Sequence, residues 1–198
     1  MAETINTATP DYIVDGVLTD GEPWVPLITN VLTSDAAVVT FTSTTGANDW
    51  SQYMDLVIVG YAQTNGASDI YRCQLNNDTG SNYPWQRISA LGTSMGVGAS
   101  AGGTYAYFGV VNGSSHAALA YSAFTARFSD INSGAWKTVN CYIGADTGSG
   151  SNSYIYNTES SWMGQSAVTE IDLFVSSQDT KAGSRFDLFG VLPRMVTA

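Results

Sequence analysis

The chain has little charge, and it is above all poor in positive charge. Its 198 residues contain 7 Lys and Arg against 17 Asp and Glu, which gives a formal net charge of -10. Charged residues are 12% of the chain, against about 25% in an average globular protein. Nucleic acids and anionic membranes both attract clusters of basic residues. We therefore expect neither nucleic acid nor membrane among the partners.

Signals for export or membrane insertion are also missing. No stretch approaches the ~18 consecutive apolar residues of a membrane-spanning helix. Residues 1–8, Met-Ala-Glu-Thr-Ile-Asn-Thr-Ala, have neither the basic start nor the apolar centre of a secretory signal. The sequence therefore predicts synthesis in the cytoplasm.

Ligands for a metal are scarce. His116 is the only histidine and Cys73 and Cys141 are the only cysteines, so a zinc site built from several His and Cys ligands is hard to assemble. Each cysteine lies in an alternating apolar pattern, and we expect a buried free thiol at both positions. The acidic residues do not follow the spacing of a calcium-binding loop. We therefore expect no cofactor, with a weak calcium site in a loop as the open alternative.

The pattern of apolar residues indicates strands. No window of ten residues has the spacing of an amphipathic helix, whereas short alternating runs are separated by turns rich in Gly, Ser and Asn. These runs lie at residues 38–42, 54–59, 69–75, 106–111, 117–128, 136–143, 153–156, 171–175 and 185–192. Short strands at this spacing predict an all-β sandwich or barrel with little helix.

Two segments lack this alternation. Residues 1–30 hold three of the five prolines, Pro10, Pro23 and Pro26, and we interpret them as an extended N-terminal arm that precedes a β domain at 31–198. Residues 91–103 are rich in glycine and predict a loop.

One nine-residue phrase occurs twice. Residues 73–81 and 141–149 both begin with cysteine and both contain Asp-Thr-Gly-Ser, starting at Asp78 and at Asp146. Bilobal aspartic proteases carry this motif twice, because two close carboxylates that share one proton can activate a water. In those enzymes each motif ends an apolar strand, whereas Asn77 and Ala145 precede the aspartates here. We therefore predict that each aspartate accepts hydrogen bonds within its own turn.

The repeat also predicts which side chains point inward. We expect the two copies to belong to related strand–loop–strand units, with a third such unit around Gly183. The inward residues of the two return strands are then Tyr71, Cys73 and Leu75 in the first, and Val139, Cys141 and Ile143 in the second.

The sequence gives no other support for catalysis. Residues 92–96 and 98–102 both match the Gly-x-Ser-x-Gly pattern of hydrolases. That motif requires a buried strand before the serine, a helix after it, and an acid and a histidine downstream. No acidic residue lies between Ser100 and His116, and we expect His116 to be a turn residue. The chain is therefore predicted not to be an enzyme.

Aromatic residues are abundant for a chain with so little charge. There are 5 Trp and 11 Tyr, and several of them flank polar turn sequences. Exposed rings among Asn, Ser and Thr suit a protein interface or a platform for sugars. The alternative is that the rings close the ends of a sandwich as part of its core. The candidate partner-binding residues are Tyr12, Trp24, Trp50, Trp85 and Trp162.

Several strand and turn phrases resemble the jelly-roll structural proteins on the virions of tailed bacteriophages, a group that includes capsid decoration proteins and tail-fibre modules. The phrases are Tyr-Met-Asp-Leu-Val-Ile-Val-Gly-Tyr-Ala at 53–62, Leu-Asn-Asn-Asp-Thr-Gly-Ser-Asn-Tyr at 75–83, Ile-Asp-Leu-Phe-Val at 171–175 and Phe-Asp-Leu-Phe-Gly-Val at 186–191. The resemblance covers roughly residues 30–192. It implies an antiparallel β-sandwich of jelly-roll type and a place on a virion, and it assigns no functional residues.

The function expected from this resemblance is that of a capsid decoration or cement protein. Its partners would be the major capsid protein and its own copies, as a homotrimer. The arm lies outside the resemblance, and we predict separately that its segment from Glu3 to Asn30 anchors the protein. It would be assembled in the host cytoplasm and lie on the virion surface. The alternative is a tail-fibre or receptor-binding module that recognises a host surface glycan through exposed aromatic rings.

Overall fold

The part of the chain described by the computed structural model, residues 13–14, 17–18, 24–116, 119–146 and 153–192, consists almost entirely of β-strands. Two antiparallel sheets pack together as a sandwich. The helical residues in these ranges are two short 3-10 turns, Gly46–Asn48 and Trp50–Gln52. The prediction of an all-β antiparallel sandwich with little helix is confirmed.

Eight strands form the larger sheet. Across the sheet they are β3 (Trp24–Val31), β14 (Arg185–Val191), β5 (Asp55–Ala62), β10 (Ser122–Ser129), β11 (Lys137–Ala145), β12 (Tyr154–Trp162), β7 (Tyr83–Leu91) and β8 (Ser94–Gly103). Every neighbouring pair in this order is antiparallel.

Four strands form the smaller sheet. Across it they are β4 (Val38–Thr42), β13 (Glu170–Val175), β6 (Asp69–Leu75) and β9 (Ala106–Val111). A separate short pair joins β1 (Ile13–Val14) to β2 (Val17–Leu18).

Eight of the strands pair in a nested order. The pairs are β3 with β14, β4 with β13, β5 with β10 and β6 with β9. The chain changes sheet at each step from β3 to β6. The remaining strands form two hairpins, β7–β8 after β6 and β11–β12 after β10, and both hairpins widen the larger sheet beyond β10.

Alternation along the strands places the apolar residues between the sheets. The residues predicted to point inward are all buried, namely Tyr71, Cys73 and Leu75 in β6, and Val139, Cys141 and Ile143 in β11. Beside them, the ring centroid of Tyr71 lies 5.5 Å from that of Phe124 and 6.2 Å from that of Phe186. Such aromatic pairs add about 0.5–1.5 kcal/mol each beyond the burial of their area.

The larger sheet includes residues that the sequence placed in the arm. The boundary predicted at residue 30 falls inside β3, which begins at Trp24. Pro26 lacks a backbone N–H, but it lies on an edge strand, opposite the register shift between Leu188 and Phe189, and both settings tolerate proline. Residues 1–12, 15–16 and 19–23 of the predicted arm lie outside the described residues.

The predicted strand–loop–strand units differ in the structure. Of the three predicted units, β10–β11 is a hairpin, whereas the connections from β5 to β6 and from β13 to β14 cross between the sheets. The repeat therefore relates β6 of the smaller sheet to β11 of the larger one. The loop predicted at 91–103 is also wrong, since residues 94–103 form β8.

Candidate functional site

The first Asp-Thr-Gly-Ser motif forms a turn, as predicted. The Asp78 carboxylate accepts hydrogen bonds from the Gly80 N–H at 2.8 Å, from Asn82 Nδ2 at 2.9 Å and from Trp162 Nε1 at 2.7 Å. Burial opposes ionisation of this carboxyl, but the three hydrogen bonds outweigh it and lower its pKa. Asp78 therefore stabilises a connection after β6.

The second motif lies at the other end of the sandwich. Asp146 follows β11, whose last residue, Ala145, pairs with Tyr154 at the start of β12. Asp78 instead contacts Trp162 at the end of the same nine-residue strand, and nine residues of strand span about 30 Å. The two carboxylates cannot share a proton at that separation. The turn predicted for Asp146 lies outside the described residues, which resume at Ser153.

The two serines of the hydrolase-like patterns lie within a strand. Ser94 and Ser100 belong to β8 and pair with β7, so neither occupies the strand-to-helix turn that such a nucleophile needs. Among the described residues, no group of three or more His, Cys, Asp or Glu side chains converges to hold a metal ion. Both cysteines are buried free thiols, as predicted.

The candidate aromatic residues have different environments. Trp50 and Trp162 are only 0% and 3% exposed, so the prediction that their rings are accessible to a partner is wrong. The prediction was based on the polar residues beside each tryptophan. In the structure such a residue accepts the hydrogen bond of a buried indole, as when Trp50 Nε1 donates to Asn48. Trp24 is 43% exposed, and Trp85 is half-buried and stacks on Tyr107. Tyr12 lies outside the described residues.

The largest feature that the sequence prediction missed is an apolar surface. We call the side of the larger sheet that faces away from the smaller sheet the outer face. On its β11–β12–β7–β8 half, the register brings five large exposed side chains together. This apolar patch consists of Ile88, Met95, Val97, Tyr142 and Ile155, which are 56%, 75%, 81%, 56% and 48% exposed, respectively.

A row of polar side chains borders the apolar patch. Asn140, Glu159 and Gln86 lie directly opposite one another on β11, β12 and β7. With Asn157, these residues line an open groove of about 530 Å³ that also includes Ile88 and Val97 of the patch. Within the described part of the chain, no hydrogen bond engages these four polar side chains. We call this set the polar groove.

The alternation of β11 contains the signal for this surface. If Cys141 points inward, then Asn140 and Tyr142 must point to the other side of the sheet. The burial pattern of β11 confirms this arrangement, since Asn140 and Tyr142 are exposed between buried neighbours. The rest of the patch comes from β7, β8 and β12. Their order and register in the sheet cannot be predicted from a single sequence.

The described helices are too short to cross a membrane. The outer face presents exposed apolar side chains, a chemistry that suits contact with a protein, and amide groups, a chemistry that suits a polar ligand. Comparison of the chain with family models, with curated proteins and with solved structures found no match.

Proposed function

We propose that this chain is a non-enzymatic structural protein of a bacteriophage virion, one that decorates or cements the capsid surface. The observation that supports the proposal best is the apolar patch on the outer face. Five large side chains that are each about half exposed or more lie in two successive rows of the register across four adjacent strands, with Asn157 between Tyr142 and Ile88. A concentration of large exposed apolar side chains marks protein–protein contact sites.

The strand order supports the same proposal. Without the two inserted hairpins, the larger sheet has the order β3-β14-β5-β10 and the smaller sheet has the order β4-β13-β6-β9. Early strands pair with late ones, and the chain crosses repeatedly between these two sets of four strands. We infer that this core is a jelly roll, an architecture used by viral capsid and lectin domains. The two inserted hairpins then form a surface added to that core, and they supply every residue of the apolar patch.

The proposed partners are the major capsid protein and further copies of the chain. A net charge of -10 favours contact with basic capsid segments, and added salt would weaken that part of the attraction. Assembly would take place in the host cytoplasm, with the protein then on the virion surface.

Binding to particles that lack this protein tests the proposal. Ile155→Lys places a charge within the apolar patch and should abolish co-sedimentation with such particles. Val38→Lys is the matched control, because Val38 is 49% exposed against 48% for Ile155 and lies on β4 of the other sheet. Wild-type protein that fails to bind, or that labels the tail tip of intact virions instead of the head, would contradict the proposal.

The polar groove favours a second candidate function, recognition of a host glycan by a tail-fibre or receptor-binding module. Amide groups donate and accept hydrogen bonds as sugar hydroxyls do, and Ile88 and Val97 offer apolar contact beside them. A glycan array should then show binding that Asn140→Ala and Gln86→Ala abolish. Thr42→Ala, an exposed position on β4, is the control and should keep it. Absence of binding by the wild type would count against this function.

A further inference from the structure

Among the described residues, neither charge, proline nor a second paired strand protects the edge strand β8. β8 is the last strand of the larger sheet, and among the described strands it pairs only with β7. Its ten residues, Ser-Met-Gly-Val-Gly-Ala-Ser-Ala-Gly-Gly, include no charged residue and no proline. Natural proteins protect exposed edges with charge, proline or a covering segment, because an open edge pairs with other strands.

The hairpin register shows which backbone groups are open. Leu91 pairs with Ser94 across a two-residue turn in which Gly92 has a φ of 55°, and the residues that flank such a turn are hydrogen-bonded to each other. Since the pattern alternates along the strand, Gly96 and Gly98 also bond towards β7. The N–H and C=O groups of Met95, Val97 and Ala99 then point away from the sheet.

The sequence of the strand is close to a palindrome centred on Val97. Gly96 matches Gly98, Ser94 matches Ser100, and Gly92 matches Gly102. The two remaining pairs, Met95 with Ala99 and Thr93 with Ala101, are both uncharged. When two identical strands pair antiparallel about Val97, each residue of one copy lies opposite its palindromic match in the other copy, for example Gly96 opposite Gly98.

We propose that β8 pairs with β8 of a second copy of this chain, antiparallel and about a two-fold axis at Val97. Val97 then faces Val97 of the second copy in a hydrogen-bonded pair, and Met95 faces the smaller Ala99. Each larger sheet continues into the other, so the two apolar patches join across the axis. This inference concerns the edge of the sheet and does not require that the outer face bind a capsid.

The charge of the chain opposes this pairing only weakly at the edge itself. Two copies with a net charge of -10 repel each other, but β8 itself contributes no charge. The outer-face carboxylate of the polar groove, Glu159, lies on β12, two strands from the edge. Five strand spacings of about 4.8 Å separate the two copies of β12, or about 24 Å, which exceeds the Debye length of about 8 Å at physiological salt.

A disulfide trap tests the register. In a hydrogen-bonded antiparallel pair the Cα atoms are about 5.5 Å apart, a distance that a disulfide spans. Val97→Cys should therefore form a covalent dimer under mild oxidation, at least about tenfold faster than Ile155→Cys, which is exposed but lies two strands from the edge. Cys73 and Cys141 do not compete, since they are 0% and 1% exposed. Equal rates for the two variants would overturn the register.

Sedimentation equilibrium tests the pairing itself. The wild type should have twice the mass of one chain, and Val97→Pro should have the mass of a single chain, because proline removes an outward N–H without touching the bonds to β7. Val97→Thr retains the N–H and should remain a dimer. Unchanged circular dichroism of Val97→Pro shows that the fold is intact.

A monomeric wild type would refute the pairing, and so would the trimer that the resemblance implies. A dimeric Val97→Pro would also refute it, because the contact would then lie elsewhere. Failure of this inference is distinguishable from failure of the proposed function. Capsid binding is measured separately through Ile155→Lys, and it can persist in a Val97→Pro monomer.

Discussion

The indole N–H of Trp162 donates a 2.7 Å hydrogen bond to the carboxylate of Asp78. This bond joins the end of β12 to the turn between β6 and β7, so it connects the inserted hairpin to the core of the sandwich. The indole is 3% exposed, and the loss of its acceptor would leave a buried N–H without a partner.

Asp78→Ala should therefore destabilise the protein by about 2–3 kcal/mol at pH 7, since hydrogen bonds to a charged group contribute about 1.5–3 kcal/mol. Asp49→Ala is a suitable control, because that carboxylate accepts local hydrogen bonds from Ser51 at an exposed turn, and the substitution should cost about 1 kcal/mol or less. Urea unfolding measures both changes. A double-mutant cycle with Trp162→Phe should show coupling of at least about 0.5 kcal/mol, and additive effects would contradict the bond.

The same carboxylate predicts a pH dependence. The pKa of Asp78 is lower in the folded state than in the unfolded chain, so the unfolded chain binds more protons as the solution becomes acidic. The stabilisation is complete above the unfolded pKa, about 3.9, and is lost as the pH falls through the folded pKa. Relative to the wild type, Asp78→Asn should show a weaker loss of unfolding free energy over this acid range. Parallel curves for the two proteins would contradict the assignment.

A matched pair of glycines tests how closely the two sheets approach. Gly109 in β9 has a φ of +139°, and a Cβ there would lie 2.4 Å from Ile143 Cγ2 and 2.9 Å from Tyr156 Cβ. Gly144 in β11 has no heavy atom within 4 Å of such a Cβ. Gly109→Ala should cost about 3 kcal/mol or more, from overpacking and backbone strain together. Gly144→Ala should change stability by less than about 1 kcal/mol. Thermal unfolding measures both, and similar midpoints would contradict the observed packing.

The sequence predicted strands well where alternation was regular. Residues 69–75 and 106–111 were assigned with the observed bounds of β6 and β9, because each strand has buried residues at alternate positions or along its length. It failed for β8, whose alternate positions are mostly glycine and serine, so that no apolar period is visible. The inner side of β8 requires small residues because Arg87 lies across it: a Cβ at Gly98 would be 2.6 Å from Arg87 Nε.

The candidate site was harder to predict than the fold. Exposed tryptophans were inferred from polar neighbours, yet at Trp50 and Trp162 those neighbours satisfy the indole N–H of a buried ring. The apolar patch includes Tyr142 and Ile88, which are 54 residues apart in sequence and lie on either side of Asn157 because β12 stands between β11 and β7. The order of inserted hairpins in a sheet is a tertiary property, and local alternation does not encode it.

Burial controls the reactivity of both thiols. Burial raises the pKa of Cys73, with Asp172 and Cys141 adding to the effect, and burial also raises the pKa of Cys141. Neither thiol should react with a thiol reagent at pH 8 in the folded protein, because the thiolate is disfavoured and the reagent cannot reach it. In denaturant the count should rise to two thiols per chain. Rapid labelling of the native protein would contradict the burial of β6 and β11.

Lys137 is the most deeply buried cation of the described residues, with 0% exposure. Its Nζ donates hydrogen bonds to the backbone carbonyl oxygens of Ser133, of Ala135 at 2.8 Å and of Gln165 at 3.1 Å. The ammonium group thus joins the loop before β11 to the segment after β12, at the same end of the sheet as Asp78. Burial lowers the pKa of Lys137, although Asp130 acts in the opposite direction.

Lys137→Met should destabilise the fold by about 2 kcal/mol or more, because three carbonyl oxygens lose a charged donor. Arg185→Met is the control, since Arg185 forms an exposed pair with Asp187, and such pairs contribute less than about 1 kcal/mol.

The folded state releases the Lys137 proton at a lower pH than the unfolded chain, whose lysine pKa is about 10.4. Between those two pKa values, unfolding free energy should rise with pH more steeply in the wild type than in Lys137→Met. Urea unfolding from neutral to alkaline pH measures this difference, and a variant as stable as the wild type at pH 7 would show that the three carbonyl groups find other donors.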